Sequence, residues 1–384
     1  MTTPHRFHAL PGTDLPRDLL PRLLSPALLV FLDRVRANVR KVLEAAGNDP
    51  GRWRPHVKTA KIPEVFGELA GAGIRTFKCA TTREAACLLD VLDRRRSGDA
   101  DLLLAYPLVG PALERLGRLA AAHPRTRLSV LCEDPADLSR IPEPVSVFVD
   151  LNPGMNRTGL PPERWGTAAE IARRAGSRFR GLHFYDGHLH GLDPARRRRE
   201  AFAGYDRLAA LIATLPAPPG EIVTSGTPTF LDGLAYRGFP PASLHRVSPG
   251  TVVYHDLRSE EEIPGLGLSP AALVFARVVS LPASDVATCD AGSKSMAAEA
   301  GDPCALALGR PGWGALAPSE EHLPFRFAGP VPERGTPLLL VPRHVCPTVN
   351  LAERAVLMEG GVVRGVVPVA ARAHEILADG GELR

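Results

Sequence analysis

From residue 27 onward, short apolar runs alternate with segments whose apolar positions recur every three to four residues. Ala27–Leu32 reads as a strand. The segment DRVRANVRKVLEAAG that follows reads as a helix with Val35, Val39, Val42 and Leu43 on one face. Further strands are expected at Trp53–Lys58, Thr76–Cys79, Leu102–Ala105, Leu128–Leu131, Val145–Asp150, Gly181–Tyr185, Ile222–Thr224 and Arg246–Val247. Helical patterns separate most of them. Ile62–Gly71 is one, with Pro63 in its first turn, Val65, Phe66 and Leu69 inward, and Gly71 and Gly73 at its end. Such units, repeated over about 230 residues, predict an α/β fold of the (β/α)8 TIM-like barrel type; a doubly wound open sheet is the rival. After Leu266 the texture changes. Ala272–Leu281, Cys304–Leu308, Pro337–Pro342 and Gly361–Val369 are strand-like runs between Gly/Pro turns, which predicts a mainly β C-terminal domain. The expected division is a barrel over 25–262 and a β domain over 263–384 joined by the N-terminal 1–24.

Composition narrows the classes. Apolar residues make up 45% and charged residues 23%, as in ordinary globular proteins. A net charge of +4 makes no case for nucleic acid. No apolar run approaches the roughly 18 residues that span a bilayer, and the N-terminus has no apolar signal core, so no membrane partner is expected. The cysteines are scattered without a CxxC pair, which argues against a disulfide framework and for a reducing cytoplasm. Neither GxGxxG after a strand nor GxxxxGK[ST] is present, so a nucleotide is not supported.

Lysines are few: Lys41, Lys58, Lys61, Lys78 and Lys294. Lys58, in Arg54-Pro-His-Val-Lys-Thr59, is expected at the carboxyl end of the first barrel strand, where this fold gathers its catalytic groups. Partial burial there lowers an amine's pKa and supplies the neutral form that attacks an aldehyde. Lys78 is a rival at another strand end, whereas Lys61 and Lys41 read as surface residues and Lys294 belongs to the β domain. Two Gly-containing turns, Thr224-Ser-Gly-Thr-Pro-Thr229 and Ser248-Pro-Gly-Thr251, follow the last two barrel strands, where backbone N–H groups and hydroxyls hold phosphate in many barrels.

His344 and Cys346, in Pro342-Arg-His-Val-Cys-Pro347, lie two apart and in an extended segment point to the same side. Nitrogen plus thiolate suits Zn²⁺, with substrate or water completing the shell. His188 and His190 form a competing HxH pair, but further acidic or histidine ligands at other strand ends are missing.

The chain resembles the D-threonine aldolase and D-serine dehydratase family, pyridoxal 5'-phosphate (PLP) enzymes of the alanine-racemase fold type. The resemblance rests on Pro26–Val30 with Asp33–Asn38, Arg54–Thr59, Phe77–Ala80, Leu103–Pro107, Asp150–Gly159, Tyr185–His188, Ser225–Thr229, Ser248–Thr251 and His344–Thr348. It implies that Lys58 carries PLP as an imine and that Arg157 lies beside the cofactor's phenolic oxygen. It also implies that Gly226, Thr227, Gly250 and Thr251 bind the phosphate and that Tyr185 and His188 line the pocket. Ser248 is placed near the pyridine nitrogen, and His344 and Cys346 as ligands of a divalent metal, zinc or manganese. Family members commonly carry KTHK after the imine lysine; here Ala60 replaces that histidine.

The expected activity is that of a lyase on β-hydroxy-D-amino acids, of D-serine dehydratase type, because dehydratase members usually show HxC. A D-threonine aldolase is the alternative. A racemase would need no metal, and a single-domain PLP carrier would end with the barrel. The fold type predicts a homodimer.

Overall fold

The computed structural model describes residues 7, 10 and 15–379 of the chain, so parts of the N-terminal 1–24 segment and the last residues of 263–384 lie outside it. It divides into two compact units, one formed by Val42–Lys58, Phe66–Gly250 and Ala373–Arg384, the other by Met1–Lys41, Thr59–Val65 and Thr251–Arg372.

The first unit is the barrel. Strands Thr76–Cys79, Ala100–Leu104, Thr126–Cys132, Ser146–Leu151, Phe179–Phe184, Glu221–Thr224 and Leu244–Val247 pair in that order, all parallel. The gap between the last and the first is closed by residues 53–57. Trp53 bridges Val247 and His56 bridges Lys78, both parallel, and Val57 N–H donates to the Lys78 carbonyl at 2.8 Å. This closing segment is not the continuous Trp53–Lys58 strand read from the sequence. Pro55 brings no N–H to the ladder, and residues 57–60 form a turn that carries Lys58 just past the strand position.

Barrels of this kind are usually filled by branched apolar side chains, but this one is largely polar inside. At the amino ends of the strands, Arg54 is fully buried. Its guanidinium grips Glu221 with two bonds of 2.7 Å and donates to Asp101 at 2.8 Å. Burial works against the charge on Arg54, but Glu221 and Asp101 outweigh it and hold the group protonated. Above this plug lie Leu103, Leu131, Phe148 and Val223, with the Arg54 guanidinium 5.6 Å from the Phe148 ring centre. The next inward positions are again polar: His56, Lys78, Asp150 and His183.

The second unit holds a mixed sheet in the order Trp313–Ala315, Leu323–Phe327, Val286–Cys289, Ala272–Ala283, Ala27–Phe31, Arg354–Glu359, Val362–Pro368. Pro337–Pro342 pairs with Ala272–Ala283 and with Ala305–Ala307. Ala27–Phe31, which the sequence pattern places at the head of the barrel segment, instead runs antiparallel to Ala272–Ala283 and parallel to Arg354–Glu359. A short apolar run buried on both faces fits either sheet, and pairing decides which. Among the described residues, no helix is long and apolar enough to cross a membrane.

Buried histidines give the barrel a predictable weakness to acid. His245 shares a 2.8 Å hydrogen bond with Thr224, and burial, with Arg52 and Arg237 adding to it, pushes its pKa from 6.5 down to about 3. Burial also lowers His56 and His183. The folded state refuses a proton that the unfolded chain accepts, so stability falls as pH drops below 6.5 towards about 3. At about pH 5 the loss from His245 alone is about 2 kcal/mol. Denaturant unfolding at about pH 7.5 and about pH 5 should show the drop, and His245→Gln should shrink it by that amount.

Candidate active site

Lys58 sits half-buried in the turn after the closing segment of the barrel, at the carboxyl ends of the strands, where barrel enzymes place their chemistry. Tyr185, just past the strand Phe179–Phe184, is the aromatic centre of this end. The Arg157 guanidinium lies 4.9 Å from its ring centre and the Lys78 ammonium position 5.5 Å from it. Two glycines seat the ring. A Cβ at Gly187 would come within 2.4 Å of it, and one at Gly226 within 3.0 Å. Arg157 is carried on a loop that Asn152 ties together, its side-chain oxygen accepting from the N–H groups of Gly154 (2.9 Å) and Asn156 (3.0 Å).

The expected phosphate turn at 225–229 is braced from beneath. Asp186, buried, accepts from Thr229 Oγ1 and from the Tyr205 hydroxyl, each at 2.7 Å, and Ser225 takes a φ of 69°, which leads into Gly226. The second turn needs its glycine for close approach: a Cβ at Gly250 would lie 2.4 Å from the His56 carbonyl oxygen. Thr227 is buried in the first of these turns. Ser248 donates its hydroxyl proton to the Arg54 carbonyl at 2.7 Å and so helps to hold the barrel closed. His188 is exposed one residue beyond Gly187, and burial of part of its ring lowers its pKa, with Asp186 opposing the shift.

Lys78, the rival lysine, points into the barrel and is 2% exposed, which rules out a surface role. Lys61, read from sequence as a surface residue at a helix start, is instead buried, with its ammonium 3.2 Å from the Ala371 carbonyl. The chain folds back over it from the far C-terminal side, which local sequence does not announce. Lys294 is exposed and pairs with Glu320 at 2.9 Å and Glu321 at 3.3 Å.

In the second unit, His344 and Cys346 meet, although not through an extended segment. His344 is the cap of the helix Val345–Leu351, and Cys346 lies in its first turn; Pro347 is tolerated there because first-turn N–H groups have no helical partner. The two side chains are hydrogen-bonded to each other. Thr59 and Thr251 flank the sulfur at 3.1 and 3.4 Å. Burial pushes the Cys346 thiol up, but the bond to His344, its charge and the Thr251 hydroxyl bring it below the ordinary thiol range. Burial opposes and Cys346 favours protonation of His344, whose pKa ends above its usual value. Thr59 and Thr251 belong to the same unit as the pair. Among the described residues, no group of three or more His, Cys, Asp or Glu side chains could hold a metal ion.

The donor sets fit two groups. The Lys58 amine and the Arg157 guanidinium lie with glycine turns at the carboxyl ends of the strands, which suits an aldehyde bearing a phenolic oxygen and a phosphate. An imidazole with a thiolate suits a borderline-soft divalent cation in an open site, with positions left for water or substrate.

The sequence reading missed His56, Asp150 and His183 at this end of the barrel, the packing role of Gly187 and the part played by Thr59. Period-2 alternation along the strands was the available signal, since Asp150 and His183 fall at inward positions.

A parallel barrel with a lysine at its carboxyl end, together with a separate mixed β unit, defines an enzyme of the alanine-racemase fold. The family model described as "Alanine racemase, N-terminal domain" matches residues 30–257, and one described as a serine dehydratase domain matches residues 271–358. The chain is 30% identical to D-threonine aldolase of Arthrobacter sp, over 95% of this chain and 97% of the relative. It is 26% identical to 3-hydroxy-D-aspartate aldolase of Paracoccus denitrificans (strain Pd 1222), over 95% of each. The crystal structure of D-threonine aldolase from Filomicrobium marinum matches with a TM-score of 0.80 at 28% identity, covering 91% of this chain and 95% of that one. D-threo-3-hydroxyaspartate dehydratase from Delftia sp. HT23, 22% identical with a TM-score of 0.72 over 92% and 99% of the two chains, shares the fold. The chain belongs to the D-threonine aldolase and D-serine dehydratase family, and it is a PLP-dependent lyase.

Proposed function

We propose that this chain is a PLP- and divalent-metal-dependent lyase of β-hydroxy-D-amino acids, of D-serine dehydratase type, converting D-serine to pyruvate and ammonia. The observation that supports this reading is the His344–Cys346 pair, an imidazole and a thiol at the cap and first turn of one helix, with Thr59 and Thr251 on the sulfur. A thiolate with an imidazole favours zinc, which polarises a leaving oxygen. Retro-aldol cleavage to glycine and an aldehyde is the second reading, supported by the 30% identity to D-threonine aldolase.

When bound, PLP supplies an electron sink for charge developing at Cα, and the divalent cation supplies a Lewis acid for the β-oxygen. The rest falls to the chain. Lys58 would hold the cofactor, and its free amine would serve as the base for the Cα proton. Arg157, held against the Tyr185 ring, would meet the phenolic oxygen. Gly226, Thr227, Gly250 and Thr251 receive the phosphate. Tyr185 and His188 line the pocket. His344 and Cys346 ligate the metal, and the Thr59 and Thr251 hydroxyls orient the thiolate. For Ser248 the bond to the Arg54 carbonyl favours a structural role over contact with a ring nitrogen. A cytoplasmic homodimer acting on a small D-amino acid completes the reading.

The test is product analysis. Purified holoenzyme with D-serine should give pyruvate, and with D-threonine 2-oxobutanoate; glycine from D-threonine without keto acid establishes the aldolase instead. A chelator, or either of His344→Ala and Cys346→Ala, should abolish turnover, and elemental analysis should show lost metal. Full turnover in metal-free protein would remove the metal from the account.

A further inference from the structure

His344 occupies the cap position of the helix Val345–Leu351, yet its side chain makes no cap bond. The imidazole is hydrogen-bonded to Cys346 instead. Capping side chains are usually short and oxygen-bearing, because the first N–H groups of a helix have no partner within it. At this end one such N–H is missing, at Pro347. Another, that of Val345, lies between the two candidate ligands and donates to Asp256 Oδ2 at 2.9 Å. Asp256 is 1% exposed. Its Oδ1 accepts from the Ser259 N–H at 2.7 Å and so caps the helix Leu257–Glu262. One buried carboxylate thus caps two helices, its own through Oδ1 and the ligand-bearing one through Oδ2.

The chain around Asp256 is fixed on both sides. His255 takes a φ of 56°, in the left-handed region that a histidine seldom adopts. It is fully buried and shares a 2.8 Å hydrogen bond with Glu260. Its backbone N–H donates to the Thr251 carbonyl at 2.7 Å, and the Thr251 hydroxyl lies 3.4 Å from the Cys346 sulfur. Beyond Asp256, the Arg258 N–H donates to the Arg343 carbonyl at 3.2 Å. The Arg343 guanidinium grips Glu261 with bonds of 2.9 and 3.1 Å. Residues 251–261 therefore hold the stretch 343–346 by the sulfur, the Val345 N–H, and the carbonyl and side chain of Arg343. The Asp256 bond is the buried one that falls between the two ligands.

We propose that Asp256 is a positioning residue for the metal pair: it caps the helix in place of His344, which frees the imidazole, and it fixes the backbone between the two ligands. The inference rests on the reading of His344 and Cys346 as metal ligands. Two effects support it. A helix start concentrates partial positive charge, the wrong sign for a cation, and a carboxylate that takes the Val345 N–H offsets it. A ligand side chain that need not cap keeps one orientation, and the partners that orient metal ligands set much of a site's affinity. The charge of Asp256 is also felt at both His344 and Cys346.

The experiment measures metal affinity rather than turnover. Full-length protein, stripped of metal, is titrated with Zn²⁺ against a competing chromophoric chelator, and circular dichroism checks folding. Asp256→Ala should weaken Zn²⁺ binding by about 10–100-fold. Asp256→Asn keeps the volume and one of the two cap bonds, should also weaken binding, and serves should the alanine variant misfold. Glu261→Gln removes a partly exposed charge from the same clasp but leaves the Val345 bond, and should bind Zn²⁺ as the wild type does. Co²⁺ in place of Zn²⁺ reports the sulfur directly: its thiolate charge-transfer absorbance should weaken or shift in the Asp256 variants, which a loss of stability alone would not cause.

Folded Asp256 variants with wild-type Zn²⁺ affinity and an unchanged Co²⁺ spectrum overturn the proposal and leave His344 and Cys346 as ligands. Equal weakening in Glu261→Gln makes the effect one of general charge and overturns it too. Wild-type Zn²⁺ affinity in Cys346→Ala or His344→Ala overturns the metal reading, and this proposal with it.

Discussion

Lys58→Ala should leave a folded protein that binds PLP without covalent attachment and whose turnover falls by at least about a thousandfold. The half-buried side chain sits in an exposed-end turn rather than in the ladder, so truncation removes chemistry with little cost in packing. Absorbance should show no covalent adduct, and borohydride should fix no cofactor in the peptide that spans residues 53–61. Two of the other amines cannot take over readily. Lys61 is buried with its ammonium against the Ala371 carbonyl, and Lys294 is tied to Glu320 and Glu321 at an exposed position. An undiminished rate and unchanged absorbance in the folded variant would remove Lys58 from the mechanism.

Arg54→Ala carries the largest expected loss of stability. The guanidinium is fully buried and neutralises Glu221 and Asp101 through bonds of 2.7 and 2.8 Å. Removing it takes the fully buried partner from both carboxylates, leaving Glu221 with Arg246 at 3.2 Å and Asp101 with the more distant Arg127 and Arg180 at 3.7 and 4.0 Å. Breaking one partner out of a buried ion network costs about 3–5 kcal/mol, a large share of the roughly 5–15 kcal/mol that holds a domain folded. Urea or guanidinium unfolding should show the midpoint fall with little change in slope. The charge argument has its own control: Arg54→Met combined with Glu221→Gln and Asp101→Asn should recover much of the loss. A triple variant no more stable than Arg54→Met would place the cost in packing instead.

Much of the site was legible in the sequence because its parts are local. Gly226 and Gly250 mark turns whatever surrounds them, and the position of Lys58 after a strand signal places it at the productive end of a barrel. His344 and Cys346 are two residues apart, close enough to meet by either a strand or a helix turn; the helix won. What stayed hidden depends on residues far apart in the chain. Asp150, His183 and Lys78 converge only when three different strands enter one barrel, and Thr59 reaches a sulfur 287 positions away. Lys61 looked like a surface lysine until the chain at Ala371 covered it.

By itself, the sequence determined the alternation of strands and helices, the change of texture after Leu266, and the family to which the chain belongs. Each follows from periodicity, turn residues and side-chain type over a few positions, where physics is short-ranged. Tertiary structure alone decided that Ala27–Phe31 joins the mixed sheet and that a proline-interrupted segment closes the barrel. It also decided that a lysine and a histidine inside the barrel lose their charge. Strand partners and burial are properties of the assembled core, and the free energy that sets them comes from groups brought together only by folding.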